Sequence, residues 1–278
     1  MRYTEAVPHP PLDTSVECFW FLEDGPAALP RPLERIVPDG CTELILHLGD
    51  RFERLTASGA DQQPGAFLVG QLPHFVLLRP SRTIDTVGVR FRPAGARRFF
   101  RGPASSLTGR FVALDDLWGR RATDELQDRL RAATRQERVG VLERALLGAM
   151  AGEEGDRAVA RSAGFILGRS GRVRVADVAR DAGVSERSLE RRFQEQLGLA
   201  PKAFARIARL QGALKSVGRQ EQPDWADVAA ECSYFDQPHL IRDFRALTGE
   251  TPGEFVKNQG RLSLSFTDPR RLAALLGG

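Results

Sequence analysis

The chain is poor in the residues that most often carry chemistry. Its 278 positions hold three cysteines, four histidines, two methionines and two tyrosines. Cys18, Cys41 and Cys232 share no short spacing, which argues against a disulfide framework or a zinc knuckle. His9, His47, His74 and His239 form no His-x-His pair. Gly-x-Ser-x-Gly, a phosphate-binding loop and a dinucleotide fingerprint are all missing. No uncharged apolar run reaches about 18 residues, and the opening MRYTEAVPHP lacks an apolar h-region. These absences lead us to expect a soluble cytoplasmic protein with no cofactor, no bound metal and no membrane partner.

The rest of the composition is that of an ordinary globular protein, 42% hydrophobic and 27% charged, with a net charge of +4. That charge is unevenly spread. Ala160 to Gly278 holds 19 Lys and Arg against 14 Asp and Glu, whereas the remainder holds 21 against 22. The basic excess sits in the C-terminal part, where a nucleic-acid surface would be sought.

From Ser15 to about Arg92 short apolar runs (SVECFWFL, ELILHLG, AFLVG, HFVLLRP, TIDTVGVRF) alternate with Pro, Gly and Asp turn signals. This pattern predicts an antiparallel sandwich or barrel. Trp20, Phe21, Phe67 and Phe75, with Cys41, are candidates to line its interior, either as core or as the wall of a ligand site. After Pro93 the period becomes helical, with Leu126, Leu130, Leu142 and Leu146 at four-residue spacing. Such helices pack on their own domain or pair two copies into a homodimer. The small, acidic AGEEGD at 151–156 reads as a linker between a first domain over residues 1–150 and a helical one over 157–260, with a tail at 261–278. The fold class is therefore α+β: an antiparallel β-barrel domain with trailing helices, then an all-α domain.

The helical part repeats itself. Asp177-Val178-Ala179 matches Asp227-Val228-Ala229 at an offset of 50. Leu189, Arg191, Phe193, Gly198, Pro201 and Phe204 match Leu240, Arg242, Phe244, Gly249, Pro252 and Phe255 at an offset of 51. One residue has been inserted near the intervening turn, and one supersecondary unit is used twice. Each unit has a short helix carrying Val and Ala, a tight turn, an N-cap (Ser185 or Asp236), and a second helix whose Leu and Phe repeat every four residues. Gly198 and Gly249 stop these second helices, and Pro201 and Pro252 start the next ones. This is a helix-turn-helix, twice.

With Leu189 and Phe193 inward, Arg187, Glu190, Arg191 and Gln194 face outward, and Pro238, Ile241, Arg242 and Arg245 take the equivalent places in the second copy. Arg and Gln suit guanine and adenine edges in a major groove. A solvated face on a plain helical bundle is the competing reading, and two matched copies weigh against it. The segment from about Ala158 to Asn258 resembles the DNA-binding domain of AraC/XylS transcriptional regulators, most specifically in SYFDQPHLIRDFRALTGETPGEF. The resemblance implies double-stranded DNA as partner and base-reading positions at Arg187, Ser188, Glu190, Arg191, Gln194, Gln237, Pro238, His239, Arg242 and Arg245. Ser233 stands where the family usually has Gly, and Pro238 in a base-facing place cannot donate. VPDGCTELILHLGD (37–50) resembles more weakly the cupin-like sensor domain of some AraC-like regulators, which implies an unknown small-molecule effector.

The alternative is a metal- or thiol-dependent cupin-like enzyme with an accessory DNA-binding domain. It would need His47, His74 and Glu43 as a metal triad, or Cys41 as a nucleophile, though no neighbouring His or Lys activates that thiol. The expectation is a regulator, not an enzyme.

Overall fold

The computed structural model describes residues 1–27, 31–150, 155–217 and 223–258. The proposed tail, 261–278, and most of the proposed linker lie outside the described residues.

Ten strands come first: β1 (Arg2–Ala6), β2 (Val16–Asp24), β3 (Glu34–Ile36), β4 (Thr42–His47), β5 (Glu53–Thr56), β6 (Gly59–Gln62), β7 (Ala66–Val69), β8 (Val76–Arg79), β9 (Ile84–Phe91) and β10 (Phe111–Ala113). They form two antiparallel sheets, one in the order β1-β2-β9-β4-β7-β10 and one in the order β3-β8-β5-β6. The expected closed barrel is thus corrected to two open sheets. The edge strand β6, GADQ, is exposed at every position, so no apolar face draws it into closure.

The run SVECFWFL is apolar without clean alternation because β2 is buried on both faces. Cys18, Trp20 and Leu22 point into a cluster shared with Phe52 and Leu78 of the smaller sheet. Phe19 and Phe21 point the other way, into a cluster closed by helices α1 (Leu114–Trp118), α2 (Arg120–Ala132) and α3 (Arg135–Ala149). Leu126, Leu130, Leu142 and Leu146 are all buried there. These leucines therefore serve their own domain, and the result is three layers: helices, large sheet, small sheet.

The C-terminal helices are α4 (Arg157–Gly168), α5 (Val175–Asp181), α6 (Glu186–Leu197), α7 (Pro201–Val217), α8 (Trp225–Glu231), α9 (Gln237–Thr248) and α10 (Pro252–Lys257). The expected caps are in place. Ser185 Oγ accepts from Ser188 N–H, and an Asp236 carboxylate oxygen accepts from His239 N–H. Gly198 and Gly249 both take positive φ at the ends of α6 and α9. Phe204, Ile207, Leu210 and Leu214 run down the buried side of α7.

The two parts share a core. Val37 and Ala94 from the sheet part pack with Phe193, Phe204 and Leu247 of the helical part. Asp156 both N-caps α4 and pairs with Arg192 at 3.3 Å, tying the junction to α6. Among the described residues no helix is long and apolar enough to cross a membrane.

Candidate nucleic-acid interface

Each helix-turn-helix is built around one buried stripe. Leu189, Phe193 and Leu197 on α6, and Leu240, Phe244 and Leu247 on α9, are all less than 5% exposed. Fully burying each stabilises the fold by roughly 1.5–3 kcal/mol, which fixes the rotation of both helices about their axes. The opposite stripe then faces out by geometry alone. Arg187, Glu190, Arg191 and Gln194 are exposed, as are Gln237, Pro238, Arg242 and Arg245. Ser188 and His239 are half-buried at equivalent positions, where their backbone N–H groups receive the N-caps. The His239 ring stands edge-on to Tyr234, with centroids 5.3 Å apart.

The connector is anchored to the second unit. Arg206 on α7 donates through Nε to Asp243 on α9 at 2.7 Å, and Asp243 is 7% exposed. A nearly buried carboxylate held this way sets the angle between α7 and α9. Arg172 donates to the main-chain oxygen of Glu231 at 3.0 Å, linking the loop before α5 to the end of α8.

The turns of the two units differ. Gly183 has φ +67 with open space at its missing Cβ, and Ser233 in the second copy has φ +55. An L-residue in this left-handed region is strained, so the departure from Gly seen in the sequence is a real local cost.

The recognition helices are gripped from behind by the sheet part. Arg35 Nη1 donates to the carbonyl of Thr248 at 2.7 Å, and its Nη2 donates to Glu250 Oε1 at 3.0 Å. Phe75 N–H donates to the Leu247 carbonyl at 2.9 Å. The carbonyl of Gly198, just past α6, accepts from Thr108 Oγ1 at 2.7 Å. These bonds satisfy carbonyls that a helix C-terminus leaves without partners. Nothing in the sequence pattern announces them, since each joins residues 90 or more positions apart.

A second candidate site lies between the sheets, a cavity of about 50 Å³ whose lining includes Trp20, Cys41, Glu43, His47, Leu78 and Phe111. Of the five residues expected to line such a site, Trp20 and Cys41 do. The other three lie outside this wall. Phe21 faces the helices because it alternates with Trp20 on β2. Phe67 is fully buried against His47 and Phe111 and forms no part of the wall. Phe75 lies at the junction, against the helical core and under the Arg35 guanidinium, 4.4 Å from its ring centroid.

The polar groups of this cavity are mutually engaged. Glu43 Oε1 accepts from Arg90 Nε at 2.8 Å, and burial raises the Glu43 carboxyl above its usual range against the pull of Arg90. His47 meets Thr86 Oγ1 through Nδ1 and Gln63 Oε1 through Nε2, and burial pushes it down to about 4. His74 instead reaches Ala246 O across the junction, so His47, His74 and Glu43 do not converge as a metal triad would require. Among the described residues no group of three or more His, Cys, Asp or Glu is placed to hold a metal ion. Loss of water contact and the neighbouring Asp39 carboxylate push the Cys41 thiol well above its ordinary range, the opposite of what a nucleophile needs.

Two helix-turn-helix units share one connecting helix, and the second helix of each carries outward arginines. Residues 178–258 match the family model of a helix-turn-helix domain. Residues 4–113 match the model of a domain of unknown function (DUF6597). Among solved structures the chain is similar to ToxT from Vibrio cholerae, 10% identical over 86% of this chain and 98% of that one, with a TM-score of 0.50. ToxT with a bound unsaturated fatty acid is 10% identical over 93% and 98%, with a TM-score of 0.46. The AraC-like transcriptional activator CuxR is 12% identical over 77% and 79%, with a TM-score of 0.30. No curated protein sequence matches the chain.

Proposed function

We propose that the protein is a sequence-specific regulator whose helices α6 and α9 enter two successive major grooves. In this reading residues 157–260 read DNA, and residues 1–150 sense a small molecule. The observation that carries the DNA reading is the same segregation on both helices: Leu and Phe inside, and Arg191 and Arg242 at matched outward positions, flanked by Arg187, Glu190 and Gln194 on α6 and by Gln237 and Arg245 on α9. Arg is suited to guanine and Gln to adenine, and Glu190 can accept from cytosine. The 17-residue α7 supports the spacing. It is roughly 25 Å long, and with its flanking turns it can hold the two helices about 34 Å apart, one duplex turn.

The effector reading is supported by the walls of the inter-sheet cavity. Val37, Asp39 and Cys41 line it, and the same loop touches the connector. Gln211 Nε2 donates to Pro38 O at 2.7 Å, and Gly40 lies against the Phe204 ring. A molecule that pushes this loop outward would loosen its hold on α7. At about 50 Å³ the cavity has room for only a few waters, so entry of a larger effector must move that wall.

Footprinting of genomic fragments by the purified protein tests the DNA reading. A defined protected site of about two turns is the expected result. Uniform protection of any sequence would replace this reading with that of an architectural DNA binder. A thermal-shift screen of small molecules tests the effector reading.

A further inference from the structure

The two turns carry a difference that the helices do not. In the first unit Ala182, Gly183 and Val184 donate to Val178, Arg180 and Ala179, and the N-cap Ser185 follows at once. In the second, Cys232, Ser233 and Tyr234 make the same three bonds, to Val228, Ala230 and Ala229. The N-cap there is Asp236, so Phe235 is the inserted residue, with no counterpart in the first turn. It is 92% exposed, more than any other large hydrophobic side chain among the described residues. Its neighbours Asp236, Gln237 and Pro238 are exposed too, so it is continuous with the outward face of α9.

The turn that presents this ring is braced from behind. Phe235 N–H donates to His239 Nδ1 at 3.3 Å, which puts the ring proton of a neutral His239 on Nε2. The His239 ring stands against Tyr234, which is buried and lies under the Arg209 guanidinium at 5.2 Å. An apolar ring held at the head of a recognition helix is positioned where such helices meet base edges, since their N-terminal residues make the base contacts. The apolar group on a major-groove edge is the C5 methyl of thymine.

Resting on the regulator reading above, we propose that Phe235 is a further base-reading residue. Its ring packs on the C5 methyl of a thymine at the end of the segment read by α9. The insertion thereby gives the second unit a specificity that the first lacks. It also complements Pro238, which cannot donate.

The test uses the full chain and the duplex recovered by footprinting. Each thymine of the site is replaced in turn by deoxyuridine, which removes only the methyl. At one position in the α9 half, wild type should lose about 4-fold in affinity, the worth of one buried methyl. Phe235→Ala should bind the parent duplex more weakly and be indifferent to uracil at that position. Phe235→Leu should restore part of the discrimination. Because the side chain is exposed, an unchanged Tm is expected and checks folding. Equal thymine-to-uracil losses in wild type and Phe235→Ala at every position would overturn the proposal. So would unchanged DNA affinity with lost transcriptional output, which would assign the ring to a protein partner. If wild type selects no site at all, the regulator reading beneath it fails instead.

Discussion

Arg35, on β3 of the small sheet, donates to the main-chain oxygen of Thr248, the last residue of α9, at 2.7 Å. A guanidinium at a helix C-terminus meets both an unpartnered carbonyl and the negative end of the helix dipole. Arg35→Ala removes this bond and the pairing with Glu250. The expected loss is about 1.5–3 kcal/mol of stability, read by urea unfolding. A loss no larger than that of an exposed control such as Arg121→Ala would show that the contact is incidental.

The glycines ending the two recognition helices should not tolerate a side chain. A Cβ on Gly249 would meet the Phe75 ring at 2.4 Å, and one on Gly198 would meet Thr108 Oγ1 at 2.4 Å, both at positive φ. Gly198→Ala and Gly249→Ala should each destabilise by more than about 1 kcal/mol. Adding Phe75→Ala to Gly249→Ala should recover the steric share and leave the backbone share. A double-mutant cycle measures that coupling.

Ser233→Gly should do the opposite. Ser233 holds φ +55 at the place where the first unit uses Gly183. Relief of left-handed strain, offset by the greater chain entropy of Gly, should raise stability by about 0.5–1 kcal/mol. A lowered Tm would contradict the strain argument.

His47 makes stability depend on acidity. Its folded pKa is depressed from 6.5 to about 4, chiefly by burial, so the unfolded chain binds the proton first as pH falls. The stabilisation is complete above about pH 6.5 and is lost progressively down to about pH 4. The loss approaches about 3 kcal/mol at about 1.4 kcal/mol per unit. Unfolding curves between pH 7 and 4 should show wild type losing more than His47→Gln. Parallel pH profiles for the two would remove His47 as the cause.

The two recognition arginines should act on specificity. Arg191→Ala and Arg242→Ala should each relax preference at one or two base pairs by about 1–3 kcal/mol, with the two changes falling about one duplex turn apart. Selection from a randomised duplex library checks this. Uniform weakening across all sequences would mark the side chain as a phosphate anchor. Arg191 lies within 3.5 Å of Glu195, an exposed pair that DNA can compete with easily.

Much of the helical half was legible because its determinants are near neighbours in the chain. Ser185, Asp236, Gly198, Gly249 and the Leu189–Phe193 stripe act within one or two turns of themselves. The sheet half was less so. With both faces of β2 buried, the alternation that would have separated Trp20 from Phe21 is erased. Phe75 read as a cavity aromatic because its partners, Leu247 and Arg35, are contributed by other parts of the chain. The inserted residue was countable from the two offsets, yet only the backbone bonds of the turns identify it as Phe235.

By itself, then, the order of residues determined two helix-turn-helix units, their caps and which side of each faces out, because periodicity and capping are local. Only the tertiary structure decided that the strands form two open sheets with a small cavity between them. It also decided that Arg35 and Thr108 hold the ends of the recognition helices. Those features depend on which distant surfaces exclude water together, and no short stretch of sequence carries that information.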